Sequence, residues 1–137
     1  MRLRAAIFAL LLPFPSAVHA SADFVATQID AANHARLSPG GPDASGGVGD
    51  WALSNGTLCA VVADPAHESD LAPFGGGLVD LGHCGRGDDQ LVLVQPLANL
   101  DRRGAVRADS VEANATGEDA RITTRGTLSG CVVETTY

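Results

Sequence analysis

The chain has no lysine and few aromatic residues, and these shortages limit what it can bind. All nine basic residues are arginine and sixteen residues are acidic, which gives a formal net charge of −7 at pH 7 over 137 residues. An acidic surface repels nucleic-acid phosphates and anionic lipid headgroups. We therefore expect neither nucleic acid nor an anionic membrane surface as a partner.

The usual motifs of metal and catalytic sites are also missing. The chain contains no Cys-x-x-Cys or His-x-x-x-His pair, so its spacing does not indicate a zinc site. No Gly-x-Ser-x-Gly elbow marks a nucleophilic serine. The glycine run at 75–77 precedes a β-like run, whereas a phosphate-binding loop needs a following helix. We expect no metal, no cofactor and no catalytic residue within this chain.

No apolar run is long enough to span a bilayer, which takes about 20 residues. The N-terminal apolar run covers only 5–12, between Arg2 and Arg4 on one side and small residues on the other. These are the three parts of a secretory signal peptide, with cleavage after Ala20 or Ala22. We predict a signal peptide at 1–20 and a secreted or periplasmic mature chain with no membrane attachment.

The three cysteines are Cys59, Cys84 and Cys131, and export makes disulfides permissible. Because three is an odd number, either one thiol is free or its partner lies elsewhere. We take Cys59 and Cys84 as the candidate pair. The chain stops inside the strand-like run CVVETTY, from which we expect a fragment truncated at its C-terminus, with a missing downstream domain.

The mature chain divides into an N-terminal segment at 21–48 and a β-domain at 49–137. Residues 23–37 are compatible with a short helix or coil, with Phe24, Ile29 and Leu37 as apolar anchors. The stretch SPGGPDASGGVG that follows is rich in glycine and proline and reads as a linker or long loop.

The strongest β signal is the dipeptide Asn55-Gly56 between two apolar runs. Asn-Gly favours a two-residue type I′ hairpin, because both central residues of that turn need positive φ. This register puts Leu53 opposite Leu58 and Trp51 opposite Ala60. One face then carries Trp51 with the leucines and is expected to be the apolar face, so core packing of Trp51 is favoured over stacking on a sugar.

Short β-like runs and turn signals fill the rest of the chain. The runs lie at 78–82, 90–97, 105–113 and, after the turn NATGED, through 120–137. Val106 and Val111 are out of phase, which predicts a kink or bulge. Together these features predict an all-β fold, an antiparallel sandwich or part of a supersandwich.

The stretch GGVGDWALSNGTLCAVVADP with GGGLVDLGHCGRGDDQLVLVQPL resembles the N-terminal β-rich region of large bacterial secreted proteins. Some of these carry a downstream metal-dependent hydrolase domain of the polymerase-and-histidinol-phosphatase type. The opening strands are also similar to the β-supersandwich of galactose mutarotase-like domains. The resemblance covers 46–97 and, more loosely, 105–137. It implies activity only for a longer chain, because the hydrolase ligands have no counterpart here.

Two functions follow as expectations. The first is an accessory β-domain of an exported bacterial protein, with no catalysis of its own, that packs against a downstream domain. The second is a carbohydrate-binding or carbohydrate-processing domain with a glycan as partner. Its polar groove would be lined by Asp80, His83, Arg86, Asp88 and Asp89. His67, followed by Glu68 and Asp70, is interpreted as part of a polar loop.

Overall fold

A computed structural model describes residues 23–67, 74–98 and 104–137. The predicted signal peptide at 1–20, with Glu68 and Asp70, lies outside the described residues. The elements in chain order are β1 Val25–Gln28, α1 His34–Leu37, β2 Trp51–Ser54, β3 Leu58–Val62, β4 Leu78–His83, β5 Arg107–Ala115, β6 Ala120–Leu128 and β7 Cys131–Thr136.

The strands form two antiparallel sheets. The first has four strands in the order β1-β2-β3-β4, and the second has three in the order β5-β6-β7. β5 lies against β1, and β6 lies against β1 and β2, so the two sheets face each other. The predicted all-β, antiparallel, sandwich-like fold is confirmed.

The N-terminal segment is mostly extended rather than helical. Val25–Gln28 is a strand that pairs with β2, and only His34–Leu37 is helical. Of the helix or coil expected over 23–37, helix is present only at His34–Leu37, and neither alternative describes the strand at Val25–Gln28. The open edge of β2 satisfies the backbone N–H and C=O groups of this segment, and that pairing overrides its weak helical pattern.

The Asn55-Gly56 hairpin is present, but its register differs from the predicted one by two residues. Leu53 pairs with Ala60 and Trp51 with Val62, so the loop is longer than two residues. Gly56 has a φ of 81°, whereas Asn55 is not among the residues with positive φ, so the turn is not type I′. Instead, Asn55 Oδ1 accepts hydrogen bonds from the backbone N–H groups of Thr57 and Leu58 at 3.0 and 2.8 Å.

A shift of two residues leaves each side chain on its predicted face, but the more deeply buried face is the opposite one. Ala52 and Val61 are fully buried in the main apolar cluster, while Trp51 is half-buried and Leu58 is exposed. The expectation that the Trp51 face forms the core is corrected by this arrangement. Residues from outside the hairpin cover the Ala52 face: Ile29, Leu37, Ala63 and Val79.

The structure agrees with the sequence predictions for some of the later β-like runs but not for all of them. β5 carries a register shift between Ala108 and Ser110 in its pairing with β6, where the phase change predicted an irregularity. The run 90–97 is not a regular strand, since Val94 makes only an isolated bridge to Leu78. Pro96 has no N–H to donate, which works against a ladder here.

The glycine-rich stretch after α1 packs onto the first sheet. Pro39 is fully buried, and a Cβ at Gly46 would lie 2.6 Å from Val61 Cγ1 and 2.7 Å from Asp80 Oδ2. Only a residue without a side chain allows this approach. The stretch is therefore a packed loop, although its composition is that of a linker.

Cys59 of β3 and Cys84, just after β4, form a disulfide bond, and Cys131 is free and exposed. The candidate pairing is therefore present. Because β3 and β4 are adjacent strands, the bond ties the hairpin to the next strand at the end that carries the Asn55-Gly56 turn.

Candidate functional site

The predicted polar residues divide into a buried group and a surface group. Asp80 lies in β4 and is fully buried. Its Oδ1 accepts the backbone N–H of Ser45 at 2.8 Å, and its Oδ2 accepts that of Gly46 at 3.0 Å. This carboxylate therefore holds the packed loop on the sheet.

Asp88 and Asp89 accept hydrogen bonds from backbone N–H groups on the outer edge of β4. Asp89 is fully buried, and its Oδ1 accepts the backbone N–H groups of Leu81 at 2.8 Å and Leu91 at 3.1 Å. Asp88 Oδ1 accepts the backbone N–H of His83 at 2.8 Å. Two carboxylates thus occupy donors that a further strand would otherwise use.

The acidic groups differ in their tendency to ionise. Burial raises the pKa of Asp80, and the negative charges of Asp89 and Asp50 add to the effect, while the hydrogen bonds from Ser45 and Gly46 oppose it. The side-chain hydrogen bond with His83 lowers the pKa of Asp88. His83 Nδ1 lies 2.7 Å from Asp88 Oδ2 in this exposed pair.

The five predicted groove residues therefore do not share one open surface. Asp80 and Asp89 point into the protein and bind backbone amides. His83 is the last residue of β4, and Arg86 and Asp88 lie in the turn that follows, where the Arg86 N–H donates to the His83 carbonyl. Only these three can meet a ligand from solution without a rearrangement of the loop.

A second polar cluster, built on Asp50 and His67, is not evident from the sequence. Asp50 is fully buried and accepts the backbone N–H of Gly47 at 2.8 Å and that of Asp64 at 2.9 Å. His67 Nδ1 lies 2.7 Å from both Asp50 oxygens. The nearest signal in the sequence is Asp64-Pro65-Ala66-His67, which does not point to a partner seventeen positions earlier.

The Asp50–His67 pair has a defined hydrogen-bond pattern. A carboxylate can only accept, so Nδ1 of His67 carries the proton and Nε2 is the ring nitrogen left for another partner. His67 is 35% exposed and lies beside a depression of about 290 Å³ that also contains Gln28 and Asp64. Asp64 Oδ2 accepts the indole N–H of Trp51 at 2.9 Å. This hydrogen bond fixes the position of the indole beside Asp64.

The outer face of the second sheet is polar. It forms an open depression of about 350 Å³ where Arg125 Nε donates to Glu134 Oε2 at 2.7 Å. This hydrogen bond raises the pKa of Arg125, and Glu112 contributes further. Both partners are more than half exposed, so the pair stabilises the fold little.

The described ranges were also searched for metal-binding groups and for membrane-spanning helices. No group of three or more His, Cys, Asp or Glu side chains there is arranged to hold a metal ion. None of the helices in those ranges is long and apolar enough to cross a membrane.

Comparison of the chain with protein-family models, with curated proteins and with solved structures finds no match.

Proposed function

We propose that this chain is an accessory β-sandwich domain of an exported protein and that it acts as a scaffold for a neighbouring domain. The observation that carries the proposal is the Cys59–Cys84 disulfide, formed between a buried cysteine and the residue after β4. Structural disulfides persist in oxidising compartments outside the cytosol. The predicted signal peptide and the resemblance to bacterial secreted proteins support the same location.

The hydrogen bonds of three buried carboxyl groups support a scaffolding role. Asp50, Asp80 and Asp89 are all fully buried, and each accepts backbone N–H groups from loops. A buried carboxyl group is tolerated where backbone N–H groups pair with it, and a loop that moved away would leave the carboxyl without those donors. The three carboxylates therefore hold the loops around the first sheet in single positions, as a rigid frame for another domain requires.

Thiol counting in a bacterial host tests export. The intact chain is expected in the periplasm, starting at Ser21 or Asp23, with one alkylatable thiol on Cys131. A matched variant with Leu10→Arg and Leu11→Arg breaks the apolar run, and we expect it in the cytosol with three alkylatable thiols. An intact chain that keeps Met1 and three reactive thiols would exclude export.

The accessory role is tested on the native polypeptide. An antibody against residues 49–137 should detect a product clearly larger than the 14.0 kDa of this chain, because the proposal places a further domain on the same polypeptide. Detection of only the signal-processed chain would show that no such domain is attached.

Carbohydrate binding is the second candidate function, and the exposed His83–Asp88 pair beside Arg86 favours it. Charged and amide groups in a fixed arrangement can bind sugar hydroxyls. A glycan screen of the signal-processed chain, repeated with His83→Ala and Asp88→Ala, tests it. The scaffold proposal expects no binding, whereas binding that both variants abolish would favour the carbohydrate proposal.

A further inference from the structure

Two asparagines of the chain lie in the pattern Asn-x-Thr, in which x is not proline. One pattern is Asn-Gly-Thr, beginning at Asn55, and the other is Asn-Ala-Thr, beginning at Asn114. In an exported protein this pattern is the acceptor for asparagine-linked glycans, which are attached at the surface. The two asparagines differ in how their side-chain amides are used by the fold.

The amide of Asn55 is part of the hairpin turn. Its Oδ1 accepts the backbone N–H groups of Thr57 and Leu58 at 3.0 and 2.8 Å. Resonance with the carbonyl occupies the lone pair of an amide nitrogen, so a transferase must bind and distort the whole amide before Nδ2 can react. Both turn hydrogen bonds would have to break first, which makes Asn55 a poor acceptor once the hairpin has formed.

The amide of Asn114 has no such role in the fold. Asn114 lies one residue before the end of β5, an outer strand of its sheet, and is exposed. Within the described residues its side chain makes no hydrogen bond. The amide can therefore enter the site of a transferase without loss of a hydrogen bond from the fold.

A glycan on Asn114 would lie over a polar surface. Ala113 pairs with Ile122, which is fully buried, so the neighbouring Asn114 points to the opposite, outer face of the second sheet. This is the face with the open depression of about 350 Å³, and all the residues that line it are polar. Attachment of a glycan here requires no change in the packing between the sheets.

Thr116, the third residue of the pattern, begins the turn after β5. Its hydroxyl donates to Asp119 Oδ1 at 3.1 Å and accepts the N–H groups of Glu118 and Asp119 at 3.2 and 3.1 Å. These hydrogen bonds are exposed and stay within one turn, so water can replace them at little net cost. A transferase can therefore reach the hydroxyl when this turn opens, while β5 and β6 remain paired.

From the free amide in an exposed acceptor pattern, we propose that Asn114 is a glycosylation site whose donor is an oligosaccharide carried on a polyprenyl diphosphate. A bond forms between Asn114 Nδ2 and C1 of the first sugar. The bond from C1 to the diphosphate oxygen breaks, and its electron pair leaves with the diphosphate. Nδ2 loses one proton to a basic group of the transferase and keeps the other. This inference rests on the export that is part of the proposed function.

Peptide mapping of the wild-type chain tests the site. The intact chain is produced in a bacterial host that carries a periplasmic asparagine oligosaccharyltransferase, and it is recovered from the periplasm. Cleavage after arginine isolates Asn114 in the peptide 108–121 and Asn55 in the peptide 37–86. We expect the mass of one glycan on the first peptide and an unmodified second peptide. This comparison needs no folded variant.

Variants then test the assignment by the mass of the intact chain. Asn114→Gln should abolish the increase in mass, and Asn55→Gln, the matched control, should leave it unchanged. Thr116→Ala should also abolish it, whereas Thr116→Ser keeps the hydroxyl and should retain it. One alkylatable thiol in each variant, on Cys131, shows that the disulfide has formed.

Three results would overturn the inference: a processed N-terminus with no glycan, a glycan on Asn55 instead of Asn114, or a Thr116→Ala chain that is still modified. Each of these leaves export unaffected, because the processed N-terminus and the thiol count report it independently. A chain that keeps Met1 and carries no glycan contradicts export, and this inference fails with it.

Discussion

Asp80 is a buried carboxyl whose ionisation opposes folding. Burial raises its pKa above the ordinary value of 3.8, so the folded state holds the proton more tightly than the unfolded state does. The contribution of Asp80 to the free energy of unfolding is therefore largest at low pH and decreases as pH rises through the folded pKa. Asp88 has the opposite sign, because its lowered pKa gives a contribution that is lost as pH falls.

We predict that Asp80→Asn changes the pH dependence of stability. The amide keeps one oxygen for the N–H groups of Ser45 and Gly46 but does not titrate. Relative to the wild type, the free energy of unfolding of the variant should increase as pH rises above the ordinary pKa of 3.8 and through the raised pKa of the folded state. Urea unfolding at several pH values measures this difference, in which the contribution of Asp88 cancels. Asp109→Asn, at an exposed position, is the control, and an identical pH profile for both variants would contradict the assignment.

The disulfide links β3 to the residue that follows β4, and no tight turn joins these two strands. It closes a loop of 25 residues between β3 and the end of β4. That loop includes the stretch between β3 and β4 and the glycine run before β4. Closing such a loop reduces the conformational freedom of the unfolded chain more than that of the folded one.

We therefore predict that Cys84→Ser lowers the free energy of unfolding by about 3 kcal/mol. Cys131→Ser is the matched control, because Cys131 is exposed and unbonded, and it should leave stability within about 0.5 kcal/mol of the wild type. Chemical denaturation measures both, with and without reductant. If reductant destabilises Cys84→Ser as much as the wild type, the disulfide is not the cause.

The two sheets are joined in part by one hydrogen bond from the end of β7. Tyr137 is half-buried, and its hydroxyl donates to the Gly76 carbonyl at 2.8 Å across a separation of 61 residues. Burial also raises the pKa of this phenol, so it remains a donor at neutral pH. The contact fixes the glycine run against the second sheet, where a Cβ at Gly76 would lie 2.4 Å from Ala108 Cβ.

Tyr137→Phe should lower the free energy of unfolding of the whole molecule by about 1 kcal/mol, because the Gly76 carbonyl loses its donor. Thr136→Val removes an exposed hydroxyl that pairs only within the sheet, with Thr123 at 3.3 Å, and should change stability by less than about 0.5 kcal/mol. Urea denaturation compares the two. Equal effects would mean that the link between the sheets does not contribute.

Local chemistry accounts for the features that could be predicted. The reversal at Asn55-Gly56, the alternation along the β-runs and the irregularity in β5 each depend on a few neighbouring residues, so periodicity and turn propensity reveal them. The Cys59–Cys84 pairing was one of the few that three cysteines allow. These features suffice for the all-β class and for the position of the hairpin.

Long-range contacts determined the rest. Segment 25–28 became a strand because β2 offered it backbone partners, and the Ala52 face became the core because Ile29, Leu37 and Val79 cover it. Asp50 meets His67, and Asp80 turns inward, because loops distant in sequence bring N–H groups to both carboxylates. Neighbouring residues set the period and the turns of a chain, but burial depends on which distant segments cover it, and only the packed tertiary structure specifies those.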